Sequence, residues 1–211
     1  MFSVLRGGCV TCAVAGFFFA CGFFTPGPVR AQTSDELVDQ CANDNPNHMF
    51  PWDVALASCT KAIRSGNWSG RNLAWAYIDR CQAYDQLAQY DLAIPDCNQG
   101  IRLDPSDPNG FLNRGIAYKN KNEYDLAIAD YDQALKLNPR YAKAYNNRGN
   151  VYFDEKDYDR AIADYDQAIH FDPRYADPYY GRGLAKRQNG DTAGGDADIA
   201  HARELAPGIG K

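Results

Sequence analysis

The chain has 211 residues, of which 45% are hydrophobic and 23% are charged, a composition typical of a globular protein rather than a disordered one. The net charge is −5, and it falls to −7 over residues 32–211, where 20 basic residues stand against 27 acidic ones. This balance argues against nucleic acid as a partner, because phosphate binding depends largely on lysine and arginine.

Residues 1–31 have the three parts of a secretory signal peptide. Arg6 precedes an uncharged, apolar stretch from Gly7 to Phe24, two prolines follow, and Val29 and Ala31 are the small residues of a cleavage site. The alternative is an uncleaved membrane anchor, which needs about 20 apolar residues to span a bilayer. The length of the segment and its prolines favour cleavage, so the sequence predicts a periplasmic or secreted protein.

Of the seven cysteines, three lie in the predicted leader and four remain. An even number of cysteines in an oxidising compartment predicts disulfides, and four cysteines allow three pairings. A metal site is the alternative. The sequence predicts none, because residues 32–211 contain no Cys-x-x-Cys and the three histidines have no recognised ligand spacing.

Residues 108–175 contain one 34-residue pattern twice, with the same residue at 17 of the 34 aligned positions. In the first copy, apolar residues recur at helical spacing from about Gly110 to Lys119 and again from Tyr124 to Leu137, with a polar turn between them. Pro139 stops the second helix, because proline lacks the amide hydrogen that a helix needs. A fixed period of this size indicates helix hairpins that stack on their neighbours.

The pattern resembles that of the tetratricopeptide repeat family, whose motif runs aromatic, glycine, tyrosine, alanine, aromatic, alanine and proline. The two copies fill these places with Phe111, Gly115, Tyr118, Ala127, Tyr131, Ala134 and Pro139, and with Tyr145, Gly149, Tyr152, Ala161, Tyr165, Ala168 and Pro173. The resemblance implies an all-α, right-handed α-solenoid of helix-turn-helix repeats, in a short exported bacterial protein of this family.

The repeat frame extends in both directions and gives the predicted domain organisation. After the leader come a cap with a half-repeat at 32–73, a degenerate repeat at 74–107, regular repeats at 108–141 and 142–175, and a degenerate capping repeat at 176–209. We expect Ser34 or Asp35 to cap the first helix of the half-repeat. Pro95 falls inside a second helix and is expected to kink it.

The alignment to the family also implies a disulfide pairing. Cys81 and Cys97 fall at the glycine and core-aromatic positions of one hairpin, and Cys41 and Cys59 fall at nearly the same places in the half-repeat, where Trp52 begins the second helix. The implied pairs are Cys41 with Cys59 and Cys81 with Cys97. Each would tie one hairpin together, and bridges that close loops of this size typically contribute about 3 kcal/mol.

No enzyme signature is present, and we predict no catalytic residue and no cofactor. The glycine-rich stretch 190–195 lacks the lysine and hydroxyl residue of a phosphate-binding loop. Arg114 with Asp130 and Arg148 with Asp164 recur once per repeat. Recurrence favours a structural arginine–aspartate pair between helices over acid–base catalysis, which needs one singular arrangement.

In the tetratricopeptide repeat family, the first helices line a concave surface that holds extended peptides or a partner's helix. The resemblance carries these binding positions to Asn113, Lys119, Lys143, Asn146, Asn147, Asn150 and Arg187, together with Trp75, Ile78, Asp79, Gln82, Ile116, Tyr180 and Leu184. Asparagine can bond both the amide and the carbonyl of a peptide, and basic residues can bind a carboxylate. The alternative is that these are simply solvated polar positions.

The family's clamp for acidic chaperone tails can be compared with this sequence. The chain has Asn113 and Lys143 at two clamp positions, but Ile78, Gln82 and Asn147 at the others. We therefore do not predict binding of chaperone tails.

These features predict a non-catalytic scaffold that binds a protein or peptide partner in the concave groove after export to the periplasm. One alternative is a membrane-anchored structural or assembly component of the cell envelope, which requires that the leader be retained. Another is an enzyme whose site lies in an atypical repeat. The identity of the partner and the oligomeric state are left open by the sequence.

Overall fold

The computed structural model describes residues 33–42 and 50–211, so the predicted leader lies outside the described residues. Over the described ranges the chain forms α-helices, a short 3₁₀ helix at Gly70–Leu73 and no strand. The α-helices are α1 (Ser34–Ala42), α2 (Trp52–Ser65), α3 (Ala74–Gln86), α4 (Tyr90–Leu103), α5 (Pro108–Asn120), α6 (Tyr124–Leu137), α7 (Ala142–Asp154), α8 (Tyr158–Phe171), α9 (Ala176–Gln188) and α10 (Thr192–Leu205).

Consecutive helices pack as antiparallel pairs, and the pairs stack into a right-handed α-solenoid, which confirms the predicted fold class. The regularity is visible in the helix lengths. The first helix of every pair from α3 onward has 13 residues and the second has 14. The half-repeat has a full second helix of 14 residues, but its first helix, α1, has only nine.

Two helix starts differ from the sequence-based expectation. Helix α5 begins at Pro108 rather than near Gly110, because the Asp107 side chain caps it by accepting a hydrogen bond from the amide of Asn109 at 2.9 Å. Helix α1 is capped by Thr33, which lies before both residues that we expected to cap it. The Thr33 hydroxyl accepts from the Glu36 amide at 3.2 Å, and the Glu36 carboxylate accepts from the Thr33 amide at 2.8 Å.

Helix α4 is continuous from Tyr90 to Leu103, with Pro95 inside it. The Pro95 side chain is exposed. The missing amide hydrogen leaves the carbonyl of Asp91 without its helical donor, and Asp91 lies on the exposed first turn, where water can supply the hydrogen bond. The helix therefore accommodates the proline without ending.

In the two regular repeats, the two helices of the hairpin meet where a glycine faces an aromatic ring. A Cβ atom added to Gly115 would lie 2.6 Å from Cε1 of Tyr131, and one added to Gly149 would lie 2.9 Å from Cε1 of Tyr165. Both rings are almost completely buried. The glycines are therefore required because a tyrosine ring occupies the space in which any side chain would stand.

In the first two hairpins, cysteine pairs take the place of this glycine–tyrosine contact. The structure joins Cys41 to Cys59 and Cys81 to Cys97, the pairs that the family alignment implies. All four side chains are at most 1% exposed. Each pair connects the two helices of one hairpin and leaves neighbouring hairpins without a covalent link.

An arginine on each first helix from α3 to α9 joins three helices, an arrangement that we call the arginine bridge. The Nε and Nη2 atoms of Arg114 donate to the two carboxylate oxygens of Asp130 on α6 at 2.8 and 2.7 Å. Its Nη1 atom donates to Asn98 on α4 at 2.6 Å, so the guanidinium also reaches the preceding repeat. The predicted arginine–aspartate pair between helices is confirmed.

The arginine bridge recurs in every repeat. The other arginine–aspartate pairs are Arg80 with Asp96, Arg148 with Asp164, and Arg182 with Asp198. The acceptors on the preceding second helix are Thr60, Asp132 and Asp166, respectively. The aspartates of the pairs are at most 8% exposed, so their charges depend on the arginine for compensation.

No helix within residues 33–42 and 50–211 is long and apolar enough to cross a membrane.

The arginine bridge generates a stability prediction. Replacing Arg114 by lysine keeps the charge, but a single ammonium group cannot reach both Asp130 oxygens and Asn98 together. We expect Arg114→Lys to lower the free energy of unfolding by about 1–3 kcal/mol, measured by urea denaturation. The control is Arg187→Lys, because Arg187 forms one exposed ion pair with Asp196 and should change stability little. Equal losses in both variants would contradict the structural role of the bridge.

Candidate functional site

The first helices line a concave groove of about 600 Å³, within the range of ordinary ligand pockets. Its lining residues, which define "the groove" below, are Ala42, Trp52, Trp75, Ile78, Asp79, Gln82, Gln86, Asp107, Asn109, Leu112, Asn113, Ile116, Tyr141, Lys143, Asn147 and Tyr175. On α3 and α5 these residues recur at intervals of one, three and four positions, so they share one helical face. The lining of the groove thus combines apolar and aromatic residues with carboxamide and charged groups.

Eight of the fourteen predicted binding residues line the groove: Trp75, Ile78, Asp79, Gln82, Asn113, Ile116, Lys143 and Asn147. Asn113 is only 8% exposed and its amide nitrogen donates to the carbonyl of Ile78 at 3.3 Å, so it mainly joins α5 to α3. Asn147 donates to the carbonyl of Lys143 at 2.8 Å, and its side-chain oxygen has no donor in the described structure. Lys143 is exposed, and no carboxylate of the described residues lies within ion-pair distance of its ammonium group.

Four further predicted residues line a separate depression of about 340 Å³: Lys119, Asn150, Tyr180 and Leu184. On α5 and α7 this depression lies one helical turn beyond the groove. This depression, called "the hollow" below, is lined by Lys119, Asn150, Phe153, Asp154, Tyr165, Asp177, Tyr180, Gly181, Leu184 and Ile209. Lys119 lies 4.0 Å from Asp154, and the Asn150 side-chain oxygen accepts from the Tyr165 hydroxyl at 2.7 Å.

The remaining two predicted residues line neither surface. Asn146 is 4% exposed, and its amide nitrogen donates to the Tyr175 hydroxyl at 3.2 Å, because this position on α7 faces the next repeat. Arg187 extends to Asp196 on α10, with 2.9 Å between Nε and the carboxylate. Both residues therefore hold helices together rather than face the concave surface.

Sequence reasoning did not include Tyr141 and Tyr175, which line the groove. Both end a Pro-Arg-Tyr run, and the sequence analysis used that run only as a marker of the repeat. The Tyr141 hydroxyl is hydrogen-bonded to the side-chain oxygen of Asn109. Burial, together with the nearby charge of Asp107, raises the pKa of Tyr141 to about 12, so it stays neutral at ordinary pH.

A buried carboxylate, Asp85, lies near the end of α3 and is 6% exposed. Burial raises its pKa, although the Asn120 amide donates to it at 2.9 Å and the charge of Lys119 acts in the opposite direction. Burial and the charge of Asp85 also raise the pKa of Tyr131, whose buried hydroxyl has no hydrogen-bond partner in the described structure. In the part of the chain that the structure describes, no group of three or more potential ligand side chains could hold a metal ion.

The sequence matches two models of the repeat. One, described as "TPR repeat", matches residues 118–155 and 149–190, and the other, described as "Tetratricopeptide repeat", matches residues 72–107. Together with the helix hairpins and the glycine–tyrosine contacts, these matches establish that the chain is built of tetratricopeptide repeats. No curated protein matches the sequence significantly.

Solved structures are similar to the solenoid. TTC0263 of Thermus thermophilus, described as a thermophilic TPR protein, has a TM-score of 0.65 and 21% identity over 75% of this chain and 84% of its own. MamA has a TM-score of 0.61 and 24% identity over 74% of this chain and 89% of its own. The first TPR of Spaghetti (RPAP3), bound to the HSP90 peptide SRMEEVD, has a TM-score of 0.52 and 26% identity over 54% of this chain and 90% of its own.

The environment of Asp85 generates a prediction about pH. Its pKa is raised in the folded protein, so just above pH 3.8 the folded state binds more protons than the unfolded state does. The free energy of unfolding therefore falls as the pH rises from 3.8 through the pKa of the folded state. We expect Asp85→Asn, which cannot ionise, to raise the melting temperature at pH 7 and to leave it unchanged near pH 3. Melting curves at both pH values would measure this.

The control for this experiment is Asp39→Asn, because Asp39 is exposed on α1. It should give nearly the same melting temperature as the wild type at pH 7. A destabilised Asp85→Asn protein at pH 7 would show instead that the ionised carboxylate is favourable where it lies.

Proposed function

We propose that the chain is a non-catalytic scaffold that binds an extended peptide, or a helix of a partner protein, in the groove. The observation that carries this proposal is the composition of the groove, whose lining combines apolar residues such as Trp75, Leu112 and Ile116 with amide and charged groups. Apolar residues can bury the side chains of a peptide, and a few polar groups then fix its orientation.

The polar groups of the groove suit a peptide backbone. The side-chain oxygen of Asn147 can accept a peptide amide, and Gln82 can both donate and accept. Lys143 supplies a positive charge with no described carboxylate within ion-pair distance, so a carboxylate of the partner can bind beside it. The bound HSP90 peptide of the RPAP3 structure supports a peptide as the class of ligand. The clamp residues that this chain lacks are the reason not to propose a chaperone tail.

The proposal includes export to the periplasm, for which the leader and the cysteines provide the support. The sequence of residues 1–31 has the composition of a cleavable signal. The two cysteine pairs of the structure suit an oxidising compartment, since such bonds are rare in the cytosol. A retained leader would support the alternative of a membrane-anchored envelope component.

Binding to the groove can be tested by affinity capture with residues 32–211 as bait. We expect the wild type to retain a specific partner, and Lys143→Ala/Asn147→Ala to reduce its retention at least about tenfold, because these changes remove two accessible polar groups of the groove. Asn113 is left intact, since it is buried and bonded to α3.

The control for this capture experiment is Lys136→Ala/Asn67→Ala, which removes the same two residue types from exposed positions outside the groove. It should retain the partner as the wild type does. Equal retention by all three proteins, or retention by none, would contradict the groove as the binding site.

Export and oxidation can be tested on the full-length chain expressed in a bacterium. We expect the periplasmic fraction to contain a protein whose first residue is Gln32, and whose mass is lower than that of the reduced form by four hydrogen atoms. Peptide mapping without reductant should link Cys41 to Cys59 and Cys81 to Cys97. Free thiols in the isolated protein would contradict the pairing, and an intact leader in the membrane fraction would favour the anchored alternative.

A further inference from the structure

The segment 207–211, which follows the last helix, folds back onto the concave surface. The amide of Ile209 donates to the carbonyl of Ala206 at 3.0 Å and closes a turn. Gly210 has a φ of 73°, in the left-handed region that favours glycine. The turn reverses the chain and carries Ile209 into the hollow, where it is a lining residue.

A close backbone contact accompanies this reversal. A Cβ atom built on Gly210 would lie 2.5 Å from the Tyr180 hydroxyl and 2.6 Å from the nearest ring carbons. The backbone of Gly210 therefore rests directly on the Tyr180 ring. Both the φ angle and the available space require glycine here, which indicates that the fold-back is specific to this segment.

Only one side chain of the segment enters the hollow. Ile209 is half-buried against a lining that includes Phe153, Tyr180 and Leu184, whereas Pro207, Gly208, Gly210 and Lys211 are exposed. The hollow is thus an aliphatic side-chain site, with Lys119 and Asp154 at its polar edge.

The hollow continues the groove along the same helices. On α5, Lys119 of the hollow lies three residues after Ile116 of the groove, and on α7, Asn150 lies three residues after Asn147. Residues at this spacing are neighbours on one helical face. A peptide that follows α5 and α7 out of the groove would therefore reach the hollow and contact Ile209 in its lining.

We propose that the hollow is a subsite for a branched aliphatic side chain of an extended partner peptide, and that Ile209 covers part of this subsite until the partner displaces it. This inference rests on the proposed function, because it extends the same groove. The segment is a suitable competitor: one half-buried side chain holds it, and its attachment to α10 gives it a high effective concentration. The partner's apparent affinity then equals its intrinsic affinity multiplied by the fraction of protein in which Ile209 has left the hollow.

The test uses a displayed library of random peptides, selected on residues 32–211 carrying Ile209→Asp. We expect the selected peptides to contain isoleucine, valine or leucine and, by fluorescence anisotropy, to bind Ile209→Asp about tenfold more tightly than the wild type. The affinity of Ile209→Ala for the peptides should lie between those of the wild type and Ile209→Asp. Adding Leu184→Asp to Ile209→Asp should abolish the gain in affinity, because it places a charge in the hollow.

The matched control is Gly208→Asp, which adds the same charge one residue away, where a Cβ atom meets nothing within 4 Å. It should bind the peptide as the wild type does. Circular dichroism of each variant checks that the solenoid is folded.

The outcomes separate this inference from the proposed function. Peptides that bind the wild type and Ile209→Asp equally, yet lose affinity with Lys143→Ala, would overturn the role of Ile209 and leave groove binding intact. A library that yields no peptide, or peptides indifferent to both Leu184 and Lys143, would overturn both.

Discussion

The stacking of the repeats depends on the arginine bridge. Each guanidinium neutralises a buried aspartate of its own hairpin and also donates to the second helix of the hairpin before it, so one side chain fixes both the hairpin and its contact with a neighbour. The carboxylates alone would be costly to bury. Because the bridge repeats at the period of the sequence, it sets a uniform geometry from α3 to α10 and thereby aligns the first helices along one concave surface.

The contact inside each hairpin is chemically different along the chain, although its place in the fold is constant. Cysteine pairs occupy it in the half-repeat and the first full repeat, and glycine with tyrosine occupies it in the two regular repeats. In the last repeat, a Cβ atom on Gly183 would lie 2.7 Å from the Ile199 side chain, so an aliphatic residue replaces the ring. Covalent reinforcement is therefore placed where the repeat pattern is weakest and where α1 is short.

The sequence contained enough information for the fold and for part of the site. A strict 34-residue period constrains helix boundaries, and the recurrence of Arg114 and Asp130 once per repeat predicted their ion pair. Side-chain direction was harder to predict: Asn146 and Arg187 occupy groove positions of the family, yet local partners draw both away from the concave surface. The position of Ile209 has no periodic signal at all, because it depends on one turn and one glycine after the last repeat.

All the links that define the hairpins are local in sequence. The disulfides join residues 18 and 16 positions apart, and the arginine bridges join residues 16 to 20 positions apart. A structure held by such local links has a low contact order, so the chain can fold without closing a long loop. The last cysteine is Cys97, so 211 minus 97, or 114 residues, follow both disulfides. The amino-terminal hairpins can thus form their own links before the repeats that follow Cys97 have folded.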